Sequence, residues 1–390
     1  MPPPFAAAEY EARQQRARNA LVDNGLDAMV IGDPANINWL TGFDAWSFYT
    51  PQILIIGVEM EPVWIGRLMD AGAAPLTTYL KPAQVVPFPE DLVQRDGVHP
   101  AQFMAEWMAG AGLDGKTIGY ESDVYYFSPA LLNYLKAGLS NSRWSDANLL
   151  VNWLRAIKSP AELEVMREAA VIAGVAMQTA CDGIRPGIRQ CDLMADIVAA
   201  QIRGTPAFGG DMPALHPLVL AGKAATTAHP MWTDAPFEDD QTVAFELGAC
   251  RKRYNVGLAR TVHLGKPPGK LIETAKAVEE GLEAVIDTLK AGVTGGAAHA
   301  AWQGVLDRYG LEKKSRIGYS IGVGYSPDWG EHTISIRPGE MTQIPENAVV
   351  HVILGMWMSD WGMETSETIH VRASDAVCLT KFPRQVYVKD

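Results

Sequence analysis

The first third of the chain carries its apolar residues in short continuous runs. Residues 28–31, 53–58, 63–65, 84–88 and 117–120 are of strand length. Between Glu9 and Asn24, Tyr10, Ala17, Leu21 and Val22 are spaced as one face of a helix, which Asn24 and Gly25 stop. Residues 101–111 and 128–139 also read as helices. Strands alternating with helices over this length predict an α/β domain, a sheet covered by helices.

A boundary is legible at residues 157–162. Ser159 can cap a helix, Pro160 suits the first helical position, and Glu162 completes an S-x-x-E capping box. Beyond it the pattern changes to paired helices around Gly-containing turns, 162–180 with 191–202 and 271–289 with 297–309. Strand segments follow each pair: 217–221, 242–247 and 261–264 after the first, 349–356 and 368–371 after the second. This predicts two domains, residues 1–157 and 158–390, the second an internally duplicated α+β domain with a site where its halves meet.

Composition narrows the class. The chain has 33 basic and 45 acidic side chains, a formal charge of −12, and no block of like charges, which argues against nucleic acid as a partner. Its four cysteines form no CxxC pair and no Cys-His cluster, against a disulfide scaffold or zinc knuckle. The N-terminus lacks the pattern of a signal peptide and no run reaches the ~18 apolar residues of a membrane span. The expectation is a cytoplasmic protein with no membrane partner.

Two motif matches fail on context. Residues 110–117 spell G-x-x-x-x-G-K-T, but a helix precedes them and a strand follows, the reverse of a phosphate loop. Residues 318–322 spell G-x-S-x-G without the strand-turn-helix of a nucleophile elbow.

The candidate chemistry lies in acids, one histidine and aromatics. His229, in a loop leading towards the strand of Glu246, can accept and return a proton near neutral pH; a loop histidine can equally be a bystander. Glu246 stands in the apolar run Val243-Ala244-Phe245-Glu246-Leu247, where it needs a solvated cleft or a partner such as Arg260. Glu364 and Glu367, three apart in an extended segment, should face opposite sides. Phe43, Trp46, Phe48 and Tyr49 cluster early, and Trp232, Tyr254, Tyr319, Tyr325, Trp329, Trp357 and Trp361 accompany the acids. Aromatic walls with a carboxylate suit a delocalised cation, although core packing explains most such residues singly.

The capped helix after Ala156-Ile157-Lys158-Ser159-Pro160, the duplicated helix pairs, and the order His229, Glu246, Arg260-Thr261, Gly318 to Gly322, Glu364 together resemble the creatinase, prolidase and methionine aminopeptidase superfamily. The resemblance implies a creatinase/prolidase-type N-terminal α/β domain and a C-terminal pita-bread catalytic domain. Its metallopeptidases hold two metal ions with two Asp, one His and two Glu. Those positions fall here on Glu246, Gly257, Tyr319, Ile353 and Ser366, so the expectation is a site with no metal and no cofactor.

Residues 38–49, Leu150-Val151-Asn152-Trp153, Arg253-Tyr254, Gly318 to Gly322, residues 327–331 and Pro383-Arg384-Gln385 are similar to the ectoine hydrolase branch. That branch implies hydrolysis of a cyclic amidine bearing a carboxylate, a small cationic or zwitterionic substrate, with His229, Glu246 and Glu364 catalytic. Phe43, Trp46, Tyr49, Trp153, Trp232, Tyr319, Glu331, His332 and Trp357 would bind the substrate. A homodimer is expected from the same resemblance. Asn255, Gly257, His332 and Leu354-Gly355 depart from the branch pattern, which leaves open a hydroxylated ectoine, another small cyclic amidine, or a guanidino compound handled as in creatinase. An inactive pita-bread domain that binds peptides or histones is the alternative of a different class.

Overall fold

A computed structural model describes residues 2–389. Two compact units meet in the chain between Arg155 and Ala156.

The first unit holds a six-stranded sheet of β1 (Ala28–Ile31), β2 (Ile53–Gly57), β3 (Val63–Arg67), β4 (Val85–Phe88), β5 (Thr117–Tyr120) and β6 (Arg143–Asp146), ordered β4-β3-β2-β1-β5-β6. β1, β2 and β3 pair antiparallel, while β1/β5, β3/β4 and β5/β6 are parallel. Helices Pro100–Gly110 and Pro129–Gly138 bury Ala28, Val30, Ile53 and Ile55. Helix Ala7–Asp23 meets β2 as well. Covered on both faces, the strands have no polar side to show, hence their continuous apolar runs. The inward stripe of helix Ala7–Asp23 is Tyr10, Arg13, Ala17 and Leu21; Val22, expected on it, is exposed. Arg13 is accommodated because its guanidinium donates to the Trp39 carbonyl at 3.0 Å.

The second unit opens on helix Pro160–Gly183, and its capping box is formed. The Ser159 hydroxyl accepts from the Glu162 amide at 3.3 Å, and the Glu162 carboxylate accepts from the Ser159 amide at 2.8 Å. Helix Gln190–Arg203 packs beside it, and Gly269–Thr288 beside Gly295–Tyr309, so both expected helix pairs are present.

The strands are β7 (Leu218–Ala221), β8 (Thr242–Arg251), β9 (Tyr254–Leu264), β10 (Gly318–Tyr325), β11 (Asp328–Ile336), β12 (Val349–Ile353), β13 (Met356–Trp357), β14 (Gly362–Met363), β15 (Ser366–Val371), β16 (Ala376–Cys378) and β17 (Tyr387–Lys389). The main sheet runs β16-β15-β12-β10-β9-β8-β7, with β11 on β10 and β17 on β9. Leu271, Val278, Leu282 and Trp302 of the second helix pair pack with Val350, Val352 and Ile369 of the sheet.

Both rejected motifs have other uses. Residues 110–117 run from a helix end through a turn into β5. Ser320 lies inside β10, fully buried, its hydroxyl 2.7 Å from that of Thr333.

Candidate active site

The strand register gathers the acids. Glu246 on β8 stands opposite Leu218 of β7 and Ala259 of β9, so its carboxylate leaves the sheet among apolar neighbours. Glu364 lies between β14 and β15. Its backbone is held by Thr261 of β9, whose hydroxyl donates to the Glu364 carbonyl and accepts from the Glu364 amide, each at 2.9 Å. The Trp357 indole donates to Oε1 of Glu364 at 2.7 Å, while Oε2 is buried without a hydrogen-bond partner among the described residues.

Burial pushes the Glu364 carboxyl up to about 7, against the lowering effects of the Trp357 hydrogen bond and the Lys313 charge. Burial raises Glu246 well above the usual carboxyl range, and the charge of Glu364 raises it further. Two acids that oppose each other's ionisation hold a proton between them near neutral pH. A ligand cation would relieve both costs at once, since it adds positive charge to that of Lys313.

Lys313, which the sequence did not single out, completes this corner. Its ammonium lies 4.1 Å from the Trp357 ring centre and donates to the Gly355 carbonyl. Burial pulls it down to about 8, with Glu364 acting in the opposite direction.

A second group centres on His351 of β12, also absent from the expected set. The pairing of β10 with β12 sets Tyr319 opposite His351, and the imidazole Nδ1 lies 3.1 Å from the Tyr319 hydroxyl. Its Nε2 lies 2.7 Å from the Ser366 hydroxyl. Burial pushes this imidazole down to about 3, so it is neutral. The Trp329 indole donates to the Tyr319 hydroxyl at 2.9 Å.

The five positions at which metallopeptidase ligands were sought do not fit a dinuclear centre. Gly257 and Ile353 offer no side-chain donor, and the oxygens of Tyr319 and Ser366 engage His351. Among the described residues, no three His, Cys, Asp or Glu side chains converge as a metal site.

The other expected residues fall in several places. Arg260 does not pair with Glu246: it is buried against Glu367 at 2.6 Å and against the carbonyls of Ser366, Ala259 and Pro383. Glu367 thus serves this ion pair while Glu364 meets Trp357. Glu331 is fully buried with Lys158 at 2.7 Å, which makes it part of an internal ion pair and not a wall open to substrate. His332 is exposed and sits 2.7 Å from Asp328. Burial raises the Asp328 carboxyl, but bonds from His332 and the Gly330 amide prevail and hold it below its ordinary value.

Trp232 is half-buried and His229 exposed in the loop after the 3-10 turn Gly222–Thr226. That turn abuts the site, because a Cβ on Gly362 would stand 1.7 Å from the Ala225 carbonyl oxygen. Among the described residues His229 makes no hydrogen bond. In the first unit, Phe43 is buried on Trp64 with ring centres 4.6 Å apart, a core residue and not a free wall. Trp46, Tyr49 and Trp153 are exposed on that unit; Trp46 donates to the Tyr126 hydroxyl at 2.8 Å, and Arg67 donates to Tyr49.

Residues 164–379 match metallopeptidase family M24, and residues 13–157 the creatinase/prolidase N-terminal domain. The chain is 38% identical to an ectoine hydrolase of Halomonas elongata, over 99% of this chain and 98% of that protein. It is also 38% identical to an uncharacterized hydrolase/peptidase of Sinorhizobium fredii, over 99% of both. A recombinant prolidase from Thermococcus sibiricus superposes with a TM-score of 0.84 at 18% identity, over 97% of this chain and 99% of that one, a likeness of fold.

Proposed function

Because this chain belongs to metallopeptidase family M24, with a creatinase-type domain ahead of a pita-bread catalytic domain, yet does not carry the dinuclear ligand set, we propose that it hydrolyses a small cyclic amidine. The substrate proposed is ectoine or 5-hydroxyectoine, opened to the N-acetyl-2,4-diaminobutyrate or its hydroxylated form. The observation that carries this reading is the buried acid pair Glu246 and Glu364 beside Trp357 and Lys313. An amidinium is planar, cationic and rich in N–H donors, and it supplies what the orphaned Glu364 Oε2 needs.

In the reaction, water attacks the amidine carbon, a C–O bond forms, and one ring C–N bond breaks to give an amide and an amine. His229 is proposed to take the proton from water and return it to the departing nitrogen. Glu246 and Glu364 hold the amidinium N–H groups, and Trp357 and Tyr319 wall the ring. The electrophile is already a cation, so attack by the deprotonated water gives a neutral adduct, and the carboxylates serve to keep the amidine in its protonated, electrophilic form. The sequence relative named an ectoine hydrolase supports this substrate class.

Turnover of ectoine, hydroxyectoine and creatine by the purified chain tests the reading. Ring opening of either ectoine, seen by mass as the gain of one water, is the expected result. Release of urea from creatine, with both ectoines untouched, would replace it by a creatinase-like reaction. We also propose a homodimer, which sedimentation velocity checks.

A further inference from the structure

Among the described residues of the second unit, three lysine and arginine side chains are buried: Lys158, Arg260 and Lys313. Two of them have a carboxylate at hand, Lys158 meeting Glu331 at 2.7 Å and Arg260 meeting Glu367 at 2.6 Å. Lys313, in the segment between helix Gly295–Tyr309 and β10, forms no ion pair with the described residues. An ammonium carries three N–H donors, and those residues offer this one a single hydrogen-bond acceptor, the Gly355 carbonyl, together with the face of the Trp357 indole, whose centre is 4.1 Å away. A buried cation without a counter-charge is costly to keep.

The same indole touches a carboxylate that is also short of a partner. Trp357 stands opposite Gly362 in the β13–β14 hairpin and donates from its ring edge to Oε1 of Glu364 at 2.7 Å. Oε2 of Glu364 is buried with no hydrogen-bond partner among the described residues. A Cβ on Gly355 would stand 2.5 Å from Cζ2 of Trp357, so glycine lets the indole lie against the backbone whose carbonyl takes the Lys313 ammonium. A direct Lys313–Glu364 ion pair would satisfy both groups, and it is not formed: the ammonium lies over the ring face and the carboxylate at the N–H edge. Each acts on the other at longer range, Lys313 lowering the Glu364 carboxyl and Glu364 raising the Lys313 ammonium.

We propose that Lys313 anchors a carboxylate of the substrate, so that the site selects a zwitterion: the ammonium takes the carboxylate over the face of Trp357, while Glu364 takes an amidinium N–H at its edge. Each ligand charge then meets a fixed opposite charge, and neither buried group is left short of a partner. His332, the other residue of cationic potential expected at the substrate, is exposed and sits 2.7 Å from Asp328. The amidinium half rests on the function proposed above; the carboxylate half rests on Lys313.

A matched pair of ligands tests this. N-methylacetamidinium is an amidine cation, and N-acetimidoylglycine is the same cation carrying a carboxylate. Their affinities for the intact chain are measured by calorimetry at neutral pH. Wild type should bind N-acetimidoylglycine at least about tenfold more tightly than N-methylacetamidinium. Lys313→Met, which keeps most of the side-chain length and removes the charge, should bring that ratio to about one or below. The ratio cancels any effect of the variant on Glu364 or Trp357, because both ligands share the cation. Lys313→Arg should keep an intermediate preference, and it reads the same contact if the methionine variant does not fold. A wild-type ratio near one, or no binding of the zwitterion, overturns the proposal. So does a preference that survives Lys313→Met, which would leave Lys313 as a support for Trp357 alone. If both ligands bind as expected while ectoine is not turned over, the substrate assignment fails and the anchor stands; if ectoine is turned over and the pair shows no preference, the anchor fails and the function stands.

Discussion

Thr261 holds Glu364 through both functions of a single hydroxyl, donating to its carbonyl and accepting from its amide, each at 2.9 Å. Both backbone groups are buried, and neither belongs to the ladder that starts at Ser366. The isosteric Thr261→Val keeps the volume and removes both bonds, leaving two buried backbone groups unpaired. The expected cost is on the order of 2–4 kcal/mol by chemical denaturation, with kcat/KM down by at least about tenfold because Glu364 loses its place. Wild-type stability and activity would show that the clasp positions nothing.

The acid pair sets a pH dependence of opposite sign for stability and binding. The Glu364 carboxyl is raised to about 7 from its ordinary value, so the folded state binds a proton that the unfolded state releases. That contribution is complete below the unfolded value and is lost as pH rises through about 7. Glu364→Gln, which still accepts from Trp357, should therefore gain stability over wild type as pH climbs from about 5 to about 8, on the order of 1–3 kcal/mol. Binding of an amidinium runs the other way, weakening as pH falls below about 7. Thermal melts and calorimetric titrations across this range measure the two trends. A stability difference that stays flat with pH would remove Glu364 as a buried acid.

The fold was legible where local signals are strong. The capping box at Ser159, the Gly-bounded helix pairs and the apolar strand runs are each fixed by neighbours in sequence, and all stand in the structure. Helices Pro34–Thr41 and Leu150–Ala156 gave no periodicity to read, because both are tied down by distant polar partners. Asn36 donates to Glu121 at 2.6 Å and to Asn152 at 2.8 Å, and it accepts from Arg155 at 2.8 Å.

The site divides in the same way. Glu246 was conspicuous because a carboxylate in an apolar strand must be accounted for, and Glu364 because of the resemblance. His351 was invisible, since a histidine in Val349-Val350-His351-Val352 looks like one more strand residue until the register sets it opposite Tyr319. Glu331 misled for the converse reason: nothing near it in sequence announces Lys158, its partner at 2.7 Å.

That ion pair carries its own prediction. Lys158 and Glu331 are fully buried, and a Cβ on Gly322 would stand 2.5 Å from Glu331 Oε1, so the pair is packed tightly against β10. Lys158→Met alone takes the Lys158 cation away from a buried carboxylate and should destabilise the chain by about 3–5 kcal/mol, while Lys158→Met with Glu331→Leu should recover most of that loss. Urea unfolding of both variants decides it. A double variant as unstable as the single would mean that the pair contributes more than mutual neutralisation.

His229 offers the sharpest separation of chemistry from folding. Its side chain is exposed and makes no hydrogen bond among the described residues, so His229→Ala should leave stability within about 0.5 kcal/mol of wild type. If it shuttles the proton from water to the leaving nitrogen, kcat should fall by about 10²–10⁴-fold with little change in substrate affinity, and added imidazole should restore part of the rate. Should His229→Ala retain full activity, the proton transfers belong to the acid pair. Glu364, raised to about 7, and Glu246, raised by burial and then by its neighbour, would then divide the roles of acid and base, and Glu364→Gln would be the variant that stops turnover.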